Sequence, residues 1–346
     1  MSPTIRRLPV DDAAAAARWD DFVMRCPQAT FFHRAGWQRI LRTIFRHETH
    51  FLCAEVDDRI EGVLPLARVR SLLFGHSLVS LPFAVYGGVA ASNEQAAEAL
   101  EHAAQELARS LGAAHLELRN VASRHAGWPM QDLYATFRKE ILPDEEANLL
   151  AIPRKQRAMV RKGIAHGLRS ELDAGVDRFY ALYADNVHRH GTPGLPRRYF
   201  AALRREFGDD CEVQTVVDKE GRPVSSVLTF YFRDEVLPYY AGDAPAAREL
   251  AANDFKYWEL MRRACRRGLR IFDYGRSKRG SGSYSFKKNW GFEPQPLHYE
   301  YCLYKRDSVP QTNPANPKYR VLIEVWRRMP IGVANWLGPM VVRGLG

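Results

Sequence analysis

The sequence predicts a mixed α/β (α+β) fold of two similar domains in tandem, followed by a helical tail. Three observations carry this. Apolar residues alternate between helical and strand spacing along most of the chain. The order of elements in the first half recurs in the second. The chain's 346 residues exceed what one hydrophobic core usually supports.

In the first half, "WQRILRTIF" (37–45) has helical periodicity, and "FLCAEVDDRIEGVLPLARV" (51–69) forms two strands around a polar turn. "SLVSLPFAVYGG" (77–88) gives a third strand ending in glycines. "NEQAAEALEHAAQELARSLG" (93–112) is an alanine-rich helix capped by Asn93 and stopped by Gly112. "HLELR" (115–119) and "LYATFRKEI" (133–141) supply further strands.

The second half repeats the plan. "YFAALRREF" (199–207) takes the place of the first helix, and "EVQTVVDKEGRPVSSVLTFYF" (212–232) is the hairpin. "EVLPYYAG" (235–242) is the third strand, and "NDFKYWELMRRACRRG" (253–268) is a helix from Asn253 to Gly268. "RIFDYG" and "LHYEYCLYK" close it. Phe207 follows Phe45 by 207 − 45 = 162 positions, and the Leu-Arg pair at 203–204 follows that at 41–42 by the same 162. Gly268 follows Gly112 by 156, and Gly291 follows Gly127 by 164. The expected division is 1–142, 143–305 and a tail at 306–346.

Composition is that of a globular protein, with 46% hydrophobic and 26% charged residues. The formal charge of +10 favours an anionic partner: nucleic acid, a phosphorylated metabolite or a lipid surface. Five scattered cysteines without a C-x-x-C pair give neither a disulfide framework nor a zinc site, so a reduced compartment is expected. The N-terminus lacks a signal-peptide apolar core, and no apolar run is long enough to span a bilayer. A cytoplasmic location is the expectation. "HETH" (47–50) lacks H-E-x-x-H spacing and "HRH" (188–190) has no nearby carboxylate or cysteine, so no metal is expected.

The stretch "FDYGRSKRGSGSYSFKKNWGFEP" (272–294) concentrates glycine and positive charge at a strand-to-helix junction. It is not a P-loop, because Ser281 stands where lysine is required, and it holds no G-x-S-x-G. Gly275, Gly280 and Gly282 free backbone N–H groups to meet an anion, with Arg276, Lys278, Arg279 and Lys287 around it. "SYSFKKNWG" forms a short helix with Phe286 and Trp290 on one face. A solvated basic loop is the plainer alternative. "AIPRKQRAMVRKGIAHG" (151–167) sets Arg154, Arg157 and Arg161 on one face of a helix. Pro153 suits its first turn, and Val160, Ile164 and Leu168 follow a four-residue apolar step. Such a stripe is either a solvated face or a polyanion contact.

Helix, hairpin, strand, helix, strand, helix, strand is also the element order of the GNAT acyltransferase fold. The segments "FDYGRS", "SGSYSFKKNWGFEP", "LHYEY", "IPRKQRAMVRKG", "SLPFAVYGG" and "LTFYFRDEVLPYYAG" resemble those of FemAB-like proteins, tandem GNAT-fold aminoacyl- and acyltransferases. The resemblance covers about residues 30–305. With "HGTPGLP" (190–196) and "NWLGP" (335–339), it is closest to the branch associated with exosortase (PEP-CTERM) and exopolysaccharide systems.

The resemblance implies transfer of an aminoacyl or acyl group to an amine of a cell-envelope or exopolysaccharide precursor. The donor would be aminoacyl-tRNA, the acceptor phosphate-bearing, and no cofactor tightly bound. The family's Phe-Lys pair falls on Phe286 and Lys287, putting Lys287 near a phosphate or the developing oxyanion. Tyr240 and Asp273, at strand ends, would orient the reacting amine. Arg154, Arg157, Arg161, Arg276, Ser277, Lys278 and Tyr284 would bind substrate, with Tyr86, Gly87 and Gly88 of the first domain. Two departures stand out. "APAARELAAN" (244–253) lacks the glycine turn that holds CoA pyrophosphate in GNAT enzymes, and "YGGVAASN" lacks the acidic residue that Fem enzymes place there. The alternatives are a CoA-dependent N-acetyltransferase and a non-catalytic basic adaptor for tRNA or anionic polymer.

In the tail, Asn316 caps and Pro317 starts a helix whose apolar face is Leu322, Val325, Trp326 and Met329. Residues 331–342 are mostly apolar between Arg327, Arg328 and Arg343. The segment 316–346 either docks on the globular body or lies at the inner face of the cytoplasmic membrane.

Overall fold

A computed structural model describes residues 2–71, 75–310 and 317–344. Its strands in chain order are β1 Thr4–Arg7, β2 Glu48–Val56, β3 Arg59–Ser71, β4 Gly75–Ser80, β5 Ala90–Ala91, β6 His115–Asn120, β7 Met130–Gln131 and β8 Tyr134–Glu140, then β9 Arg169–Asp173, β10 Cys211–Val217, β11 Pro223–Phe232, β12 Glu235–Asp243, β13 Ile271–Asp273, β14 Ser277–Lys278, β15 Pro294–Pro296 and β16 His298–Leu303. Its helices are α1 Ala13–Arg25, α2 Gly36–Phe45, α3 Glu94–Ser110, α4 Glu145–Ala151, α5 Arg154–Ala165, α6 Asp177–Arg189, α7 Arg197–Phe207, α8 Ala252–Arg266, α9 Gly282–Asn289, α10 Pro317–Arg328 and α11 Ile331–Arg343.

Two mixed sheets form, each the centre of one compact unit. The first runs β1-β2-β3-β4-β6-β16-β7, with β5 beside β3. Leu52, Leu64, Leu66, Leu78, Leu116 and Leu118 pack there under Ala97, Leu100 and Ala104 of α3. Asn93 caps α3 by accepting from Ala96 N–H at 2.9 Å, and Gly112 past its end takes φ +65°, as the sequence predicts. The second sheet runs β14-β8-β13-β12-β11-β10-β9, with β15 beside β8. Phe137, Val227, Val236 and Phe272 pack there against Trp258 and Met261 of α8. The matching order α2-β2-β3-β4-α3-β6 and α7-β10-β11-β12-α8-β13 is the repeat that the 162-residue offset marks.

The units are not the contiguous blocks 1–142 and 143–305. Tyr134–Glu140 pairs with Ile271–Asp273 in the second sheet, and His298–Leu303 pairs with β6 in the first. Each sheet thus takes its last long strand from the far side of the sequence boundary. Periodicity reports that a segment is a strand and is silent on which neighbour it joins.

Local corrections have physical causes. "SLVSLPFAVYGG" is a strand only to Ser80, because Leu81 and Phe83 take positive φ and leave the extended region. Helix α8 starts after Ala251, at φ 55°, so Asn253 lies inside the first turn and is not its cap. Pro153 is the N-cap of α5, and of the expected apolar step Val160 and Leu168 are buried while Ile164 is 51% exposed. The buried face of α5 is Gln156, Val160 and Gly163. At Gly163 a Cβ would stand 2.8 Å from Phe255 Cβ, so glycine permits α5 to close on α8. The expected Asn316 cap lies outside the described residues. Of the apolar residues expected on one face of the tail's first helix, Leu322 and Val325 are exposed, while Trp326 and, just past the end of α10, Met329 are half-buried.

Candidate functional site

The site is built where two parallel strands of the second sheet part. Strands β12 and β13 pair only at Glu235–Ile271 and Val236–Phe272. Further on, a register shift against β11 sets Leu228 opposite Tyr240 and Thr229 opposite Pro238, leaving Tyr239 as the extra residue of a bulge. Pro238 suits this place, having no N–H to give to a ladder. The bulge bends β12 away from β13. From Leu237 to Asp243 that edge of β12 has no strand partner among the described residues.

Strand alternation puts Glu235, Leu237 and Tyr240 on one face of the sheet, with Asp273 and Arg138 on the same face across the gap. The sequence reading paired Tyr240 with Asp273, and the fold does bring them to one face. Tyr240 sits in an aromatic cluster with Tyr183, Tyr199 and Phe200, its hydroxyl 2.9 Å from that of Tyr199. Burial holds the phenol pKa of both tyrosines well above the ordinary value, so they are neutral hydrogen-bonding groups. Asp273 is 1% exposed, and both carboxylate oxygens are engaged. Arg138 Nη1 donates to one at 2.9 Å and Gly275 N–H to the other at 2.7 Å. Arg138 also pairs with Glu235, whose carboxyl pKa burial raises in spite of that guanidinium. Arg138 and Glu235 escaped the sequence reading because β8 was assigned to the first domain, away from Asp273.

Lys287 differs most from its expected setting. Sequence placed it against a phosphate or oxyanion, but its ammonium points inward from α9 and the residue is 8% exposed. It donates to the carbonyl oxygens of Tyr274, Gly275 and Arg276 at 2.7, 3.1 and 3.2 Å, near the rings of Phe137 and Tyr274. An ammonium has three donors, and all three hold the loop after β13. Burial lowers its pKa to about 7, with Asp273 opposing the shift.

The rest of this loop is partly folded in. Gly275 and Gly280 take φ +62° and +75°, conformations glycine adopts without strain. Ser281 caps α9 by accepting from Tyr284 N–H at 3.2 Å. Arg276 lies over the Tyr134 ring at 4.9 Å, Ser277 is buried on β14, Lys278 is half-buried, and Tyr284 packs edge-on against Phe137. On α5, Arg154 and Arg161 are exposed and form no ion pair among the described residues, while Arg157 donates to the Leu150 carbonyl at 2.9 Å. Of the expected cations, Arg154 and Arg161 on α5 and Arg279 in the loop are exposed.

In the first unit, Tyr86, Gly87 and Gly88 are buried. Tyr86 lies against Phe32, and Gly88 donates to Arg119 O and accepts from His33 Nε2, each at 2.9 Å. A Cβ at Gly88 would fall 2.0 Å from Asn120 Oδ1. These contacts are all with the unit's own chain, and they serve to lock the segment 81–88 against β6. Arg119 holds the same segment, donating to the carbonyls of Leu81 and Ala84 at 3.1 and 2.7 Å.

Residues 153–288 match the model of the acetyltransferase (GNAT) domain. No curated protein sequence matches the chain. Among solved structures, FemX is similar with a TM-score of 0.66 at 14% identity, over 92% of this chain and 100% of that one. The C-terminal domain of a putative lysylphosphatidylglycerol synthetase from Agrobacterium fabrum gives 0.58 at 15%, covering 84% and 91%. A tandem GNAT protein from the clavulanic acid biosynthesis pathway gives 0.57 at 14%, covering 88% and 100%. The protein thus has the tandem GNAT fold, and the residues that match the acetyltransferase domain model lie in its second unit.

Proposed function

We propose that the protein is a Fem-type aminoacyl- or acyltransferase that acylates an amine on a phosphate-bearing cell-envelope or exopolysaccharide precursor. The observation that carries this reading is the parting of β12 from β13 in the unit that matches the acetyltransferase domain, with Tyr240 and Asp273 on one face of the gap. An unpaired strand edge offers N–H and C=O groups to an extended donor. The resemblance to FemAB-like proteins gives the chemistry: amine nitrogen forms an amide with the acyl carbonyl, and the donor's leaving atom takes up the proton. Positioning does most of the work in such a site. In this reading Tyr240 orients the amine, the Arg138–Asp273 pair fixes the loop across the gap, and Arg154 and Arg161 meet the acceptor's phosphates.

Aminoacyl-tRNA is the donor we favour over CoA. A pyrophosphate at the start of α8 would meet the carboxylate of Asp254 in the first turn, which accepts from Trp290 Nε1 at 2.8 Å. The exosortase- and exopolysaccharide-associated assignment rests on the segments 190–196 and 335–339, and it names the precursor class to try first. The test is a transfer assay read by mass spectrometry, with aminoacyl-tRNA or acetyl-CoA as donor and amine-bearing nucleotide- or lipid-diphosphate precursors as acceptors. An acceptor heavier by one aminoacyl residue supports the proposal. Acetylation from acetyl-CoA alone returns the N-acetyltransferase reading, and salt-sensitive tRNA binding without product returns the adaptor.

A further inference from the structure

Helices α10 and α11 dock on the second unit by one side and leave the other apolar side uncovered. On the inner side, the Met329 carbonyl accepts from His188 Nε2 at 2.8 Å, and a Cβ at Gly191 would stand 2.6 Å from Ile323 Cγ2. Gly338 seats on Gly194, where a Cβ would fall 2.8 Å from the Gly194 carbonyl oxygen. "HGTPGLP" and "NWLGP", which the sequence singled out together, therefore meet in one contact. On the outer side Val333, Trp336 and Met340 follow i, i+3, i+7 spacing, one stripe along α11, and Trp336 is 65% exposed. Leu322 and Val325 repeat the pattern on α10, at 60% and 54%. A helix apolar on both sides needs a second apolar neighbour.

Charge selects that neighbour. Across residues 317–343, Lys318, Arg320, Arg327, Arg328 and Arg343 are balanced by one acid, Glu324, which pairs with Arg328 at 3.1 Å. A second copy of the chain would bring these cations against themselves, whereas a phospholipid surface offers phosphates beside acyl chains. No described helix is long and apolar enough to cross a membrane, and α11 at 13 residues reaches about 20 Å of a hydrocarbon core of about 30 Å. We infer that this face rests on an anionic phospholipid bilayer, with Val333, Trp336 and Met340 in the interfacial layer and Arg327 and Arg328 at the headgroups. The inference stands whatever group the protein transfers.

Flotation of the full chain with phosphatidylglycerol/phosphatidylcholine vesicles, against phosphatidylcholine alone, tests it. The wild type should float with the anionic vesicles and partition at least about tenfold less onto neutral ones. Trp336→Ala/Met340→Ser should lower anionic partitioning about tenfold or more. Arg327→Gln/Arg328→Gln should lower it about fivefold, since Glu324 offsets one charge. Unchanged circular dichroism and elution volume would show that both variants fold. Wild-type protein that stays soluble at both compositions overturns the inference, as does a Trp336→Ala/Met340→Ser variant that floats normally. So does a dimer in light scattering that this variant dissolves, because a second copy then covers the face.

Discussion

Lys287 Nζ lies 2.7 Å from the carbonyl oxygen of Tyr274, and the same ammonium reaches the carbonyls of the next two residues. The lysine that sequence pointed toward substrate holds the loop that follows Asp273. Lys287→Met should leave two buried carbonyls and one part-buried carbonyl short of a donor and cost about 1–3 kcal/mol of stability. It should also lower turnover about a hundredfold through loop misplacement, with the fold intact by circular dichroism. Lys287→Arg should not restore turnover, because a planar guanidinium does not match three carbonyls converging on one nitrogen.

The same burial sets a pH dependence. With its folded pKa lowered to about 7, below the unfolded value, Lys287 binds fewer protons folded than unfolded across pH 7–10. Stability therefore rises with pH through that window and is least favoured below pH 7. Denaturant midpoints of wild type against Lys287→Met should diverge in favour of wild type by about 2–4 kcal/mol from pH 7 to pH 10. Parallel pH profiles would rule out a lysine titrating in the fold.

His125 works in the opposite direction. Its Nδ1 lies 3.0 Å from Glu300 and its Nε2 3.5 Å from Glu101, with the ring stacked on Trp128 at 3.9 Å. Hydrogen bonds to the two carboxylates raise its pKa to about 9. A raised folded pKa gives stability that is full below the unfolded value near pH 6.5 and lost as pH rises through 9. His125→Gln should cost about 1–3 kcal/mol at pH 6 and little above pH 9. Chemical denaturation at the two pH values checks it. Because Glu300 belongs to β16, this cluster also fastens the returning strand to the first sheet, together with Asn120 Nδ2 at 2.7 Å from Glu300.

At Gly242 the backbone of α6 comes close against β12. A Cβ there would stand 2.4 Å from Tyr183 N and 2.5 Å from Leu182 C, both backbone atoms that cannot swing aside. Gly242→Ala should destabilise by about 3 kcal/mol or more, read as a shift in denaturant midpoint, and displace Tyr183 from Tyr240.

Much of the fold was legible in the sequence because it is written in local signals. Asn93 and Gly112 bound α3, Gly268 follows α8, and the shared spacing of Phe45 and Phe207 announces the repeat. What was hidden is non-local. Nothing near Arg138 says that its strand joins Ile271–Asp273, so the partner of Asp273 went unseen. Tyr240 and Asp273 were placed at strand ends because strand ends beside glycines are visible in sequence, and the fold sets both on one face of the sheet. Lys287 was located in its helix, but the direction of a side chain depends on whether carbonyls or solvent await it. Asn253 was taken as a cap because its residue type favours caps, while the backbone turned at Ala251 instead.

The central claim is that the second unit acylates an amine on an acceptor whose phosphates meet α5. The most direct measurement is the acceptor KM, with and without its diphosphate, for wild type and for Arg154→Gln/Arg157→Gln/Arg161→Gln. The account predicts that removing either the diphosphate or the arginines raises KM about 10- to 100-fold, and that removing both adds little more. Equal KM for phosphorylated and dephosphorylated acceptors, or a triple variant as good as wild type, would contradict it.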